Sequence, residues 1–182
     1  MAKILMVLGS LHKNGFQEQL AKEIEKQIGD RAEVSFLDYK DVPFMNQDIE
    51  FPAPASVEAA REAFKAADGV WFVTPVYNHT TSPLTLNLLD WLSRPLEANV
   101  RETAVSNGVK VTFSSASAPG AYTEMFADVV KLANQIGMDV LDAPLFGHGL
   151  TSEWMTGELA LDEAAHEAIE AQITAFLAKI AE

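Results

Sequence analysis

Apolar positions along this chain follow two rhythms that alternate. Short apolar runs such as Ile4-Leu5-Met6-Val7-Leu8 and Val70-Trp71-Phe72-Val73 are bounded by glycine, at Gly9 and Gly69. Continuous runs of that length read as strands buried on both faces. Between them the spacing becomes helical: Phe16, Leu20, Ile24 and Ile28 lie four apart. A stripe of that period is the core-facing side of an amphipathic helix.

Taken in order, the pattern predicts a strand over 4–8, a helix from about 15 to 28 ended by Gly29-Asp30, and a second strand over 33–37. Residues 39–55 are irregular and carry Pro43, Pro52 and Pro54; a loop of that length is usually functional or interfacial. Ser56 is positioned to N-cap a helix whose buried stripe is Val57, Ala60, Phe64 and Ala67. A third strand over 69–74 leads into a loop over 75–79 and a helix from Pro83 to Ser93, closed by Arg94-Pro95. A polar loop over 96–108, a fourth strand over 109–113 and a loop over 114–121 follow. The remaining elements are a helix over 122–136 ended by Gly137, a short fifth strand over 138–141 with Leu145-Phe146 as its extension, and a final helix over 162–181.

Strictly alternating strands and helices imply an α/β fold: a five-stranded parallel sheet with helices on both faces, in one domain spanning residues 1–182. The strand order 2-1-3-4-5 suits such a chain and places strands 1, 3 and 4 side by side. Ligands of open α/β sheets bind beyond the carboxyl ends of the strands. The loops after strands 1, 3 and 4 therefore converge on one crevice.

The first of those loops, Gly9-Ser10-Leu11-His12-Lys13-Asn14-Gly15-Phe16-Gln17, runs from strand to helix N-terminus, where N–H groups and the positive end of the macrodipole suit a phosphate. The third offers Pro75, Tyr77 and Asn78, and the fourth offers small hydroxyls and glycine. A phosphate site, a flat slot and backbone partners together suit a planar phosphorylated cofactor. FMN fits better than a dinucleotide, because G-x-G-x-x-G is missing. G-x-x-x-x-G-K-[ST] and G-x-S-x-G are missing as well, which argues against nucleotide hydrolysis and against a serine hydrolase.

Composition narrows this further. A formal net charge of −13 disfavours nucleic-acid partners. The apolar runs are far shorter than a membrane span, and no basic-then-apolar leader opens the chain, so no membrane association is expected. The chain has no cysteine, which removes disulfides and thiol chemistry and agrees with a cytoplasmic location. His12, His79, His148 and His166 show no metal-ligand spacing, and no metal is expected.

Four stretches then resemble one family. Gly9-Ser10, continued by Leu20-Ala21, resembles the G-S-x-R-x-x-S-x-N-x-x-L-A opening of the NAD(P)H-dependent FMN reductases, which include azoreductase-, quinone reductase- and chromate reductase-type enzymes. Thr74-Pro75-Val76-Tyr77-Asn78 resembles its T-P-E-Y-N, and Asn87 to Arg94 resembles its K-N-A-I-D-W-L-S-R block. Asp41 to Asp48 is similar to its D-x-P-x-x-N-x-D loop. The resemblance implies a flavodoxin-like three-layer sandwich, bound FMN, and NAD(P)H as co-substrate. Electrons would pass onward to a flavin, quinone, azo or metal-oxyanion acceptor, in a homodimer or homotetramer. It implies that Ser10, His12, Gly15, Phe16 and Gln17 hold the phosphate. Pro75, Val76, Tyr77 and Asn78 would line the ring and ribityl side, and Ser115, Ser117 and Gly120 would approach the pyrimidine end. No catalytic acid or base is implied, since the flavin carries the chemistry.

The departures from the pattern cluster at this site. His12 stands where the family has Arg, Gly15 where it has Ser, Gln17 where it has Asn, and Val76 where it has Glu. Thr80 to Leu86 also differs from the family's S-x-P-G-x-L-K. A guanidinium grips phosphate bidentately and stays charged, which an imidazole does not. Two alternatives stay open: a flavodoxin-type electron carrier, and a non-catalytic relative with weakened FMN binding. Elsewhere, Trp71 and Trp91 read as core. Asp90 and Arg94, four apart on one helix, read as an ion pair or an interface contact.

Overall fold

The computed structural model describes residues 1–182. Its parallel sheet starts with β1 (Ala2–Leu8) in the interior of the sheet, followed through α1 (Phe16–Ile28) by β2 (Ala32–Phe36) on the adjacent edge. Helix α2 (Ala55–Ala66) then returns the chain to β3 (Gly69–Val73) on the other side of β1. A small hairpin of β4 (Val76–Tyr77) and β5 (Thr80–Thr81) precedes α3 (Pro83–Leu92). The sheet continues with β6 (Lys110–Ser117), α4 (Ala121–Gln135), β7 (Asp139–Val140) and β8 (Phe146–Gly149). A short α5 (Glu153–Thr156) and a long α6 (Glu163–Ala181) complete the chain.

The strand order is β2-β1-β3-β6, with β7 and β8 both pairing with β6 at the far edge, and every main-sheet ladder is parallel. The alternating faces of the strands explain the three layers. Leu5, Val7, Val70, Phe72, Val111 and Phe113 pack against α2, α3 and α4. Ile4, Met6, Trp71, Val73 and Ala116 pack against α1 and α6. The predicted stripe of α1 is buried at Leu20, Ile24 and Ile28, and α6 buries Ile169, Ile173 and Phe176. Each such side chain contributes about 2 kcal/mol on leaving water, so the stripes, rather than helix propensity, hold these helices on the sheet. Trp71 and Trp91 are core residues, as their apolar neighbours predict.

Three local expectations change. The fourth strand does not stop at 113 but runs to Ser117, because Ser114 to Ser117 pair with Phe146 to Gly149. The fifth strand is not one piece: β7 pairs with Lys110 and Val111, β8 with Ser114 onward, and residues 141–145 bulge out between them. Pro144 has no N–H for a ladder there. Gln172, wholly buried on α6, fills the gap. Its amide donates to the Phe113 carbonyl at 2.9 Å and to Thr112 Oγ1 at 2.8 Å, while its oxygen accepts from Phe146 N–H at 2.9 Å and Ser114 Oγ at 3.0 Å. Third, helix α2 starts at Ala55 with Pro54 as its N-cap, not at Ser56.

The irregular stretch before α2 is pinned at several points. The Tyr39 hydroxyl donates to the Leu8 carbonyl at 2.6 Å, and burial raises the Tyr39 pKa. The Pro43 carbonyl accepts from both Asn87 Nδ2 and Trp91 Nε1. Glu50 receives Nε and Nη2 of Arg94 at 2.9 and 3.0 Å. Arg94 therefore pairs across the fold with Glu50, and not with Asp90 on its own helix.

Candidate functional site

The turn after β1 is shaped by what cannot fit. Gly9 N–H donates to the Val73 carbonyl at 2.8 Å, and a Cβ on Gly9 would lie 2.3 Å from Thr74 Oγ1. Only glycine allows that approach. Thr74 is itself fixed, its hydroxyl bonded to those of Thr81 at 2.6 Å and Thr85 at 2.9 Å. The chain then turns through Ser10, whose Oγ accepts from His12 N–H at 3.2 Å, and Asn14, left-handed at φ 53°. Asn14 N–H donates to Glu18 at 2.5 Å. The Glu18 carboxylate also receives Lys22 at 2.7 Å, and these two bonds, Lys22 first, lower its pKa.

Gly15 caps α1 with no side-chain hydrogen bond. The first-turn N–H groups of α1 therefore stay open toward the space in front of them, and the positive end of the helix dipole points the same way. A Cβ on Gly15 would come within 2.9 Å of His12 Nδ1. The imidazole is folded over the glycine, so His12 and Gly15 depart from the family pattern as a fitted pair.

The expected loop after β3 is a hairpin. Its two central residues, Asn78 and His79, have φ of 51° and 67°, as a two-residue turn of mirror-image type requires. His79 reaches Glu124 at 3.3 Å with both side chains exposed, a pair of little energetic weight.

These elements enclose a cavity of about 240 Å³ at the carboxyl ends of β1, β3 and β6. Ser10, His12, Gly15, Phe16 and Gln17 line one side. Pro75, Val76 and Tyr77 line another, with Ser117 beside them. Asn78, Ser115 and Gly120 are not on its wall: Asn78 sits in the hairpin turn, and Gly120 is the left-handed N-cap of α4. Ser115 lies within β6, and its buried Oγ has no hydrogen-bond partner. Gln17 is on the wall, yet its amide is committed to the backbone of Ala116, donating to the carbonyl at 2.6 Å and accepting from the N–H at 3.2 Å. It ties α1 to β6, and that link takes its amide oxygen and one of its two amide N–H groups.

Three wall residues were not expected: Ala116, Ala118 and Trp154. Ala116 and Ala118 follow from the longer β6. Trp154, on α5, packs edge-on against Phe16 with centroids 5.4 Å apart. The sequence signal for it was an aromatic residue in an otherwise polar stretch, Thr151 to Glu158.

A second, larger cavity of about 620 Å³ lies at the C-terminal ends of α3 and α4, lined by Glu50, Arg94, Arg101 and Gln135 among others. Arg101 Nη2 donates to the Gln135 carbonyl at 3.1 Å, capping α4, and Arg94 is paired with Glu50. The charge of Arg94 is met by Glu50, and no α-helix begins among the lining residues, so it presents no comparable set of open backbone donors.

Comparisons with known proteins agree with the geometry. A sequence model of the family described as NADPH-dependent FMN reductase matches residues 2–150. The quinone reductase of Escherichia coli (strain K12) is 38% identical over 95 residues, and a 2-hydroxy-1,4-benzoquinone reductase of a Burkholderia species is 34% identical over 93. The first match covers 50% of this chain and 50% of the relative, the second 51% of each, so the chain spans about half the length of the curated relatives it matches. Among solved structures, the NAD(P)H:(acceptor) oxidoreductase FerB of Paracoccus denitrificans superposes with a TM-score of 0.82 at 23% identity, over 99% of this chain and 97% of that one. At that identity the likeness speaks for the fold, which is flavodoxin-like. With the family match running from β1 to the end of β8, across every strand that shapes the cavity, this chain belongs to the NADPH-dependent FMN reductase family.

Proposed function

We propose that the chain binds FMN in the 240 Å³ cavity and acts as an NAD(P)H-dependent oxidoreductase that passes electrons on to a second acceptor, a flavin, quinone, azo compound or metal oxyanion. The observation that carries this reading is the uncapped N-terminus of α1 at Gly15, opening on the same cavity as residues 75–77 and 116–118. Open N–H donors at a helix N-terminus fit a phosphate.

In this reading the first-turn N–H groups of α1, Ser10 and His12 hold the phosphate. The rigid Thr74-Thr81-Thr85 hydroxyl network sets the angle at which Pro75, Val76 and Tyr77 present their backbone to a flat ring. Val76, Tyr77 and Trp154 give the cavity apolar cover against water. The flavin supplies hydride acceptance and onward transfer when bound. No side chain on the wall is required as an acid or base.

The test is the visible spectrum of purified protein with added FMN, followed by anaerobic NADPH or NADH. Flavin that binds and bleaches supports the reductase. Bound flavin that neither nucleotide reduces would assign the chain to the electron carriers instead. A folded protein that leaves FMN free in solution would overturn the reading.

A further inference from the structure

Residues 151–159 lie past the end of the family match at residue 150, yet they hold the turn that opens the cavity. Two side chains make the connection. Gln19, on α1, donates from Nε2 to the Asn14 carbonyl and to the Gly157 carbonyl, each at 2.8 Å, and its Oε1 accepts from Leu159 N–H at 2.8 Å. It thus bonds the left-handed corner of the 10–17 turn on one side and residues 157–159 on the other. Trp154 makes the second link through its edge-on contact with Phe16. Its indole N–H donates to the Leu150 carbonyl at 3.1 Å, so the ring is held in place although it is 59% exposed.

The segment is anchored from behind. Glu153 is buried; one carboxylate oxygen meets His148 Nε2 at 2.7 Å, and the other accepts from Thr151 N–H at 2.9 Å and Thr151 Oγ1 at 3.2 Å. Gly157, at φ 73°, turns the chain back toward Gln19, its N–H on the Glu153 carbonyl at 2.7 Å. From β8 through Glu153 and Trp154 to Phe16, and from Gly157 through Gln19 to Asn14, the links form a closed path around the start of α1.

We propose that residues 151–159 are a clasp that fixes the 10–17 turn in its anion-receiving shape, with Trp154 and Gln19 as positioning residues that set preference for a phosphorylated flavin over its unphosphorylated form. This rests on the reading of the cavity as an FMN site. The physical reason is preorganisation: a turn already ordered in the free protein loses less freedom when a phosphate docks. Gln19 bonds the corner of the 10–17 turn and residues 157–159 without reaching the cavity wall, so its link favours FMN over riboflavin and leaves ring binding unaltered, whereas Trp154 also lines the cavity.

The experiment has two arms. In ligand-free protein, exchange of the hydrogen-bonded backbone amides at residues 14, 15 and 19 is measured for wild type, Gln19→Ala, Trp154→Ala and Trp154→Phe. Both alanine variants are expected to speed exchange there while β1 and β3 stay protected, and the phenylalanine variant to stay near wild type. In the second arm Gln19→Ala, which lies off the cavity wall, is expected to weaken FMN affinity about 10-fold and riboflavin affinity less than about twofold. Unchanged exchange in both alanine variants would overturn the clasp, whatever the protein binds. Equal losses for FMN and riboflavin would overturn the selectivity. Failure of the wild-type protein to bind any flavin would instead count against the proposed function, with the exchange arm still deciding the clasp.

Discussion

The two cavities differ in a way their sizes do not reveal. The larger, about 620 Å³, holds two arginines, but each has a partner: Arg94 grips buried Glu50, and Arg101 caps the carbonyl end of α4. The smaller, about 240 Å³, holds an uncapped helix N-terminus whose first-turn N–H groups have no partner in the fold. What distinguishes a ligand site here is donors that the fold leaves without partners, since burying such groups is costly unless something completes them. Volume at the larger cavity is left over where three loops meet around a satisfied ion pair.

Substitutions can break or sharpen this contrast. The largest effect is expected at Gly9, the residue just before the wall of the small cavity. Gly9→Ala pushes a methyl into Thr74 and Thr85, and urea unfolding should report a loss of about 3 kcal/mol together with weaker flavin binding. Next comes the large cavity. Arg94→Ala strands the Glu50 carboxylate, which is only 4% exposed, and should lower stability by about 2 kcal/mol, below the range for fully buried pairs because Arg94 reaches solvent. FMN affinity measured by fluorescence titration should stay at the wild-type value. A matching fall in FMN affinity would erase the distinction between the two cavities.

A smaller effect is expected from His12→Ala. Loss of one partly solvated phosphate contact should weaken FMN about fivefold and leave riboflavin unchanged. Equal affinity of wild type and variant for FMN would show that the backbone N–H groups act alone.

A further effect, read through pH alone, concerns the anchor of Trp154. The hydrogen bond from His148, then that from Thr151 N–H, hold the Glu153 pKa down at about 2, against an ordinary 4.5. The unfolded chain binds that proton before the folded one does. The contribution is therefore complete above pH 4.5 and is lost as the pH falls toward 2. Urea midpoints at pH 5 and pH 3 should separate less in Glu153→Gln than in wild type. An identical pH dependence in both would show that Glu153 does not couple to folding.

Much of the fold was legible because it rests on local periodicity. Ile4 to Leu8 and Gly69 to Val73 could be little other than buried strands, and Phe16 to Ile28 little other than a helix with one apolar side. Their alternation places the turn at Ser10 and the hairpin at Tyr77 on one edge. The errors share one cause. Ser114 to Ser117 look like a loop because small hydroxyls carry no strand pattern; they are strand because Phe146 to Gly149 lie beside them. Gln17 stands on the cavity wall as its place in the turn suggests, but the sequence does not show that Ala116, distant along the chain, engages its amide. Trp154 belongs to a helix of four residues, too short to show a period.

By itself, the sequence determined the long helices and the central strands, the parallel α/β arrangement, and the edge at which the loops converge. These follow from hydrophobic period and chain direction, and neighbours within a few residues settle both. The tertiary structure alone decided which polar groups at that edge remain free. A donor is free only if no atom elsewhere in the fold reaches it, and for Gln17, Arg94 and Gln172 the atom that does comes from a distant part of the chain.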